Sequence, residues 1–437
     1  MKGSCIAFRT RGGSSVFLEE NHTLPLVDLQ LTLRTGSVYD PKGLEGLTRI
    51  TASMIRMGTK RLCATAVQEA IDRLGAQLYV LCAPSYVHFT ASVVERNLKP
   101  FLSLLDELVC RPAWRPADLD FVKRQTIADI VEIRDNDQML AVRHFRRFAL
   151  AGHPYGRSVL GTIASVKAIR RKDVIRLYGE HYLARNLIIG AAGAVSEALL
   201  RELLDSSFNR LSGAKPPTEK VVAPRFATGR RVLVVDKPAR SQTQILIGAL
   251  GTSARDADYF PLLVGNTIFG GTFTARLMRE IRSKRGWSYG ASSRLAFDRQ
   301  RDLWSMWAFP AAQDALACTE LQLALLEKLI DQGITRNELA FAKDYLIKSH
   351  AFEIDTAAKR LGLAMETELF RLASDFHSRF VEKIRAVTRD QVNQALKKRL
   401  SKRNLAIVIV ATYEDIRKQL ESFSGVTSIS VVPFDEI

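Results

Sequence analysis

The chain has 437 residues, 47% of them hydrophobic, and a formal charge of +17. That length exceeds what one apolar core usually serves, so two globular domains are expected. No run of about 18 uncharged apolar residues occurs, and Met1 to Arg11 lacks the apolar stretch of a signal peptide, which excludes a helical membrane span and points to a soluble chain.

Cys5, Cys63, Cys82, Cys110 and Cys318 are scattered singly, which argues against a disulfide scaffold. Reduced thiols fit the cytoplasm, with the periplasm as the alternative if an export signal has been removed. The positive charge attracts nucleic acid, anionic membranes or acidic proteins alike. Its basic residues are dispersed, with neither a basic tail nor an RNA-binding aromatic motif, so nucleic acid ranks lowest among partners and no membrane role is expected.

Along the chain, Val27, Leu29, Leu31 and Leu33 alternate with Asp28, Gln30, Thr32 and Arg34, the pattern of a half-buried strand, and Gly36 and Ser37 mark a turn. Leu47, Ile50, Met54 and Met57 then follow helical spacing, with Gly58 placed to stop the helix. A second stripe, Arg49, Ala52, Ser53 and Arg56, lies on another face. Strands are predicted at 86–93 and 187–192, and helices around 98–109, 117–133 and 195–205. Ser212 to Lys220 is rich in turn formers and reads as a linker. In the second half, Met278 to Arg282 reads as helix, Gly286 as its stop, and Trp287 to Phe297 as a strand.

The halves repeat. Lys167 to Val174 is echoed by Arg385 to Val392, and Arg185-Asn186-Leu187 by Arg403-Asn404-Leu405, both 218 residues later. Asp118 to Lys123 parallels Glu338 to Lys343, and Leu104 to Leu108 parallels Leu325 to Leu329, in the same order. Mixed helices and strands in two similar halves give an α+β class. The predicted division is 1–212, a linker at 213–228, and 229–437.

The strand and turn at 27–37, then Gly46-Leu47, Met54 to Thr59, His153 to Arg157 and Gly161, resemble recurring segments of the M16 metallopeptidases (pitrilysin and processing-peptidase type). The resemblance covers nearly the whole chain. It implies two homologous domains, each an antiparallel β-sheet flanked by helices, the LuxS/MPP-like metallohydrolase fold. In active members the first helix carries HxxEH, two histidines for zinc and a glutamate base. Here Arg49 stands at the first ligand, Ala52 at the base and Ser53 at the second ligand. Glu132 lies near the family's downstream glutamate ligand, and the seven histidines show no metal-ligand spacing. The resemblance therefore implies no cofactor in this chain, with zinc carried by an HxxEH-bearing partner.

Ile268 to Leu277 with Met278 to Arg282 resembles the M16 segment that supplies an arginine and a tyrosine, seven residues apart, to a site whose zinc lies elsewhere. Arg282 and Tyr289 have that spacing. A fixed positive charge and a neutral hydroxyl donor suit substrate binding and the oxyanion of peptide hydrolysis. Spacing alone favours reading Arg282 as a solvated charge at a helix end and Tyr289 as a core residue of a strand; the fit of Gly270-Gly271, Arg276-Leu277, Arg282 and Tyr289 to one family segment reverses that preference. Arg276, Arg279, Lys284, Arg285 and Arg294 read either as the lining of a cavity for acidic peptides or as solvated faces. Gly270-Gly271 lacks the lysine of a phosphate loop and is expected to allow a tight chain reversal.

The function implied is the non-zinc subunit of a heterodimeric zinc metallopeptidase acting on peptides. An inert structural or assembly subunit, like the family's counterparts in the respiratory cytochrome complex, is the alternative.

Overall fold

The computed structural model describes residues 5–217 and 221–436. Thr218, Glu219 and Lys220 of the expected linker, and Met1 of the expected leader-free start, lie outside them. Twelve strands are described: β1 (Ile6–Arg9), β2 (Ser15–Glu20), β3 (Leu26–Leu33), β4 (Gln77–Cys82), β5 (Val87–Val94), β6 (Leu187–Gly193), β7 (Arg230–Asp236), β8 (Gln244–Leu250), β9 (Ala291–Leu295), β10 (Leu303–Ala308), β11 (Leu405–Ala411) and β12 (Ser428–Pro433).

They form two sheets, β1-β2-β6-β3-β5-β4 and β12-β7-β11-β8-β10-β9. With β2 matched to β7, β3 to β8 and onward to β6 and β11, the inner order is the same in both. The outer strand β1 comes from before its sheet, whereas β12 comes after. Both sheets are mixed, which corrects one feature of the expected pattern: β2 runs parallel to β6, and β7 parallel to both β11 and β12, while the other pairs are antiparallel. The parallel pairs join strands far apart in sequence, where helical crossovers replace hairpins.

The repeat extends to single hydrogen bonds. Lys123 Nζ donates to the carbonyls of Lys167 and Ile169 at 2.8 and 2.9 Å. Lys343 Nζ donates to the carbonyls of Arg385 and Val387. In each half a lysine thus closes the C-terminus of a short helix, where its charge also suits the dipole.

The compact units draw on both sides of the 213–228 boundary. One comprises 1–130, 157–221 and 351–377; the other comprises 131–156, 222–350 and 378–437. In the first, the helix Ala357–Phe370 covers β2 and β6. Arg360 pairs with Glu19 at 2.7 Å, Glu368 pairs with Arg34, and Leu361 and Met365 pack where a Cβ on Gly190 would meet Met365 Sδ at 2.2 Å. In the second, the helix Asp137–Ala149 covers β8 and β11. Arg146 reaches Asp302 at 3.0 Å, Lys237 pairs with Asp137 at 2.5 Å, and Phe145 fills the space over Gly248. Each half of the sequence therefore supplies a helix to the other half's sheet. The polar positions of β3, which read as a solvent face, lie partly under such a helix: Gln30 Nε2 donates to the Ala358 carbonyl at 3.5 Å.

All five cysteines are free, and among the described residues no helix is long and apolar enough to cross a membrane.

Candidate functional site

The helix Leu47–Ile55 buries Leu47, Ile50, Ala52, Met54 and Ile55. Its start is built by Asp40, whose carboxylate accepts from the N–H groups of Gly46 and Thr48 at 2.8 Å and from the Thr48 hydroxyl at 2.6 Å. Burial pushes the Asp40 carboxyl up to about 7 against these donors.

On this helix Arg49 donates to Asp129 at 2.7 Å, Ala52 is buried, and Ser53 is half-buried. A guanidinium stays protonated at any relevant pH and offers no lone pair to a metal. Glu132 stands exposed at the end of its helix. Among the described residues no three of His, Cys, Asp and Glu gather as a metal site. The residues present do not fit a zinc ion. The histidines have other surroundings. His88, His144 and His181 are pulled down to about 4 by burial, with Arg147 and Arg143 adding to the effect at His144. His22 and His377 pair with Glu20 and Glu366. His153 bonds the Val222 carbonyl, and His350 stacks on Phe380.

In the second unit the helix Tyr259–Asn266 runs into a π-turn, Thr267–Gly271. Gly270 is required there: a Cβ would lie 2.3 Å from the Ser293 backbone nitrogen of β9. Gly270 thus permits close packing of this turn on the strand. The loop Thr272 to Ala275 then carries Phe273 into solvent, 65% exposed. The short helix Arg276–Met278 is followed by a second π-turn, Arg279–Ser283. Lys284 N–H donates to the Arg279 carbonyl at 3.0 Å, which closes this wider turn and resets the direction of Arg282.

The predicted strand 287–297 is shorter than expected, because β9 begins only at Ala291. Ser288 Oγ donates to the Gly290 carbonyl at 2.6 Å and accepts the Phe309 N–H at 3.0 Å, diverting the chain before the ladder starts. Tyr289 therefore lies outside the strand and is 77% exposed, not a core residue. The Arg282 Cζ sits 4.4 Å from the Tyr289 ring centre and 4.6 Å from that of Phe273. These separations are within cation–π range. The arginine–tyrosine pair expected from spacing is thus together, and Phe273, which no spacing rule marks, joins it.

The neighbouring cations are engaged. Arg276 is gripped by Glu338 through two contacts of 2.7 Å and donates to the Gly333 carbonyl at 2.9 Å. Burial alone would raise the Glu338 carboxyl, but the Arg276 and Thr335 hydrogen bonds prevail and hold it at about 2. Arg279, Lys284 and Arg285 share Glu280, whose carboxyl is lowered first of all by the Lys284 bond. Arg282 has no carboxylate partner among the described residues. Of the two expectations for these bases, the solvated face describes Arg279, Lys284, Arg285 and Arg294, which are exposed, whereas Arg276 is buried in its ion pair.

Twin six-stranded units, a metallohydrolase-type helix without metal donors, and an exposed arginine–tyrosine pair define a peptidase-like chain stripped of its own zinc motif. The chain belongs to the M16 peptidase family: the family model "Insulinase (Peptidase family M16)" matches residues 15–163, and "Peptidase M16 inactive domain" matches residues 168–346. An uncharacterized zinc protease of Streptomyces coelicolor is 23% identical over 91% of this chain and 88% of its own length. The non-peptidase homolog YmxG of Helicobacter pylori is also 23% identical, over 91% of each chain. Among solved structures, the peptidase M16 inactive domain from Pseudomonas fluorescens superposes with a TM-score of 0.86 at 24% identity, covering 93% of this chain and 98% of that one. A chain of Complex III2 from Candida albicans gives 0.78 at 17% identity, covering 94% and 97%. These superpositions establish the fold.

Proposed function

We propose that this chain is the zinc-free subunit of a two-chain M16 peptidase, with the metal supplied by an HxxEH-bearing partner and with Arg282 and Tyr289 presented to the peptide. The observation that carries this reading is the state of Arg282. Its neighbour Arg276 is bound by Glu338, and Arg279, Lys284 and Arg285 share Glu280, whereas Arg282 is held by aromatic rings beside an exposed tyrosine. An arginine held in place and left unneutralised is available to an oxygen that gains negative charge. The Tyr289 hydroxyl donates to the same class of acceptor without adding charge.

The names of the relatives support only the zinc-free part of this reading, since one is called a non-peptidase homolog and the model matching residues 168–346 an inactive domain. An inert assembly subunit has the same empty metal helix but gives Arg282 and Tyr289 nothing to act on.

The test is to mix the chain with a candidate HxxEH-bearing M16 partner and follow cleavage of a quenched peptide. The chain alone is expected to be inactive and the mixture active. Arg282→Ala and Tyr289→Phe should each lower kcat by about 10²- to 10³-fold, the usual effect of losing one oxyanion donor. Co-elution without turnover, or full turnover in both variants, would instead assign the chain to the scaffold class.

A further inference from the structure

Phe273 is a large apolar side chain that the fold leaves 65% exposed. It takes no part in the core of its unit, which draws on Phe269 and Ile268 from the preceding turn and on Ala275 and Leu277 from the end of the loop and the short helix that follows. Its ring centre lies 4.6 Å from the Arg282 Cζ. The loop that carries it is set by Gly270 against β9 on one side and by the buried Arg276–Glu338 pair on the other. Both ends of the loop are therefore anchored, and the exposed ring between them is directed by rigid structure.

Arg282 needs such a partner. It lies in a π-turn, lacks a carboxylate partner among the described residues, and has a long side chain with much rotamer freedom to lose. Tyr289 alone is a poor holder if its hydroxyl must also move to meet substrate. A second ring restrains the guanidinium while leaving its N–H groups for an incoming acceptor, because an aromatic face accepts none of them as a carboxylate would.

We infer that Phe273 is a positioning residue for the peptidase reaction, restraining the Arg282 guanidinium through ring contact so that it meets the developing oxyanion already oriented. This rests on the reading of Arg282 and Tyr289 given above. Phe273 itself has no group that donates to substrate; it acts through the arginine. The requirement is for a flat ring, so Tyr or Trp should serve and an aliphatic residue of similar bulk should not.

The experiment uses the chain reconstituted with its HxxEH-bearing partner and a quenched peptide, comparing Phe273→Ala, Phe273→Leu, Phe273→Tyr and Arg282→Ala. Loss of the ring contact should lower kcat by about three- to tenfold in the Ala and Leu variants with KM little changed, as expected for a cation–π restraint of ordinary strength. Phe273→Tyr should restore the wild-type value. In the isolated chain, the Arg282 Nε–H resonance should lose part of its ring-current shift in Phe273→Leu and keep it in Phe273→Tyr, a signature that a general loss of stability does not produce. Wild-type kcat in Phe273→Ala, or equal loss in the Leu and Tyr variants, overturns the inference. If Arg282→Ala collapses turnover while Phe273→Ala does not, only the positioning role fails; if Arg282→Ala turns over normally, the parent reading fails with it.

Discussion

Replacing Glu338 by Gln isolates the pair that anchors the segment bearing Arg282. The carboxylate receives Arg276 at 2.7 Å on each oxygen and the Thr335 N–H at 2.8 Å, while Arg276 is buried to 9% exposure. Its carboxyl stands at about 2 against an ordinary 4.5. That difference corresponds to about 3 kcal/mol of stability at neutral pH. The retained acceptor of Gln and the partial exposure of Glu338 bring the expected cost of Glu338→Gln to about 2–3 kcal/mol, in the range for breaking a partly buried pair. Because the folded-state pKa is depressed, this contribution is complete above the unfolded value of 4.5 and disappears as pH falls through about 2. The gap between wild type and variant should shrink by roughly 2 kcal/mol between pH 7 and pH 3. Urea unfolding followed by tryptophan fluorescence is the assay, since Trp287, Trp304 and Trp307 all belong to the unit concerned. A gap that stays constant from pH 7 to pH 3 would refute the assignment of the stabilisation to the ionised carboxylate.

Three further outcomes are expected. Gly248→Ala places a Cβ 2.2 Å from the Trp304 carbonyl and 2.8 Å from Phe145, and should destabilise by about 2–3 kcal/mol in thermal or urea unfolding, whereas Gly362→Ala, with nothing within 4 Å, should gain about 0.5–1 kcal/mol. Asp40 should titrate near 7 by carboxyl-carbon NMR. Its raised folded pKa means that its contribution to stability is present below the unfolded value of 3.8 and lost as pH rises through about 7; a midpoint below 4 would mean that the N–H donors of the helix start outweigh burial. Arg49→Ala removes a half-exposed ion pair to Asp129 and should cost no more than about 1 kcal/mol by urea unfolding.

Much of this architecture was legible in the residues because local physics and the repeat agreed. The alternation at 27–33 became β3, and the matched lysines 123 and 343 proved to close equivalent helices. The ownership of the helices 137–149 and 357–370 was not legible, since an amphipathic period tells which face is buried but not which sheet buries it. The strand expected from Trp287 was cut to Ala291 by one serine hydroxyl taking the Phe309 N–H, a contact with no sequence period. The spacing of Arg282 and Tyr289 did mark the pair. Phe273 escaped because two π-turns, each one residue wider than a regular helical turn, set which side chains meet, and a 3.6-residue period does not register them.

The crossing of helices between the two sheets also governs how the chain can be made. When the strands β1 to β6 have left the ribosome, the helix Ala357–Phe370 that roofs Gly190 is still more than 160 residues from being translated. The first sheet must wait with a face unroofed, exposing Gly190 and its neighbours to chaperones or to premature association. Cutting the gene at the boundary between the repeats would make that waiting state permanent, so fragments 1–212 and 229–437 should each depend on the other for a complete fold.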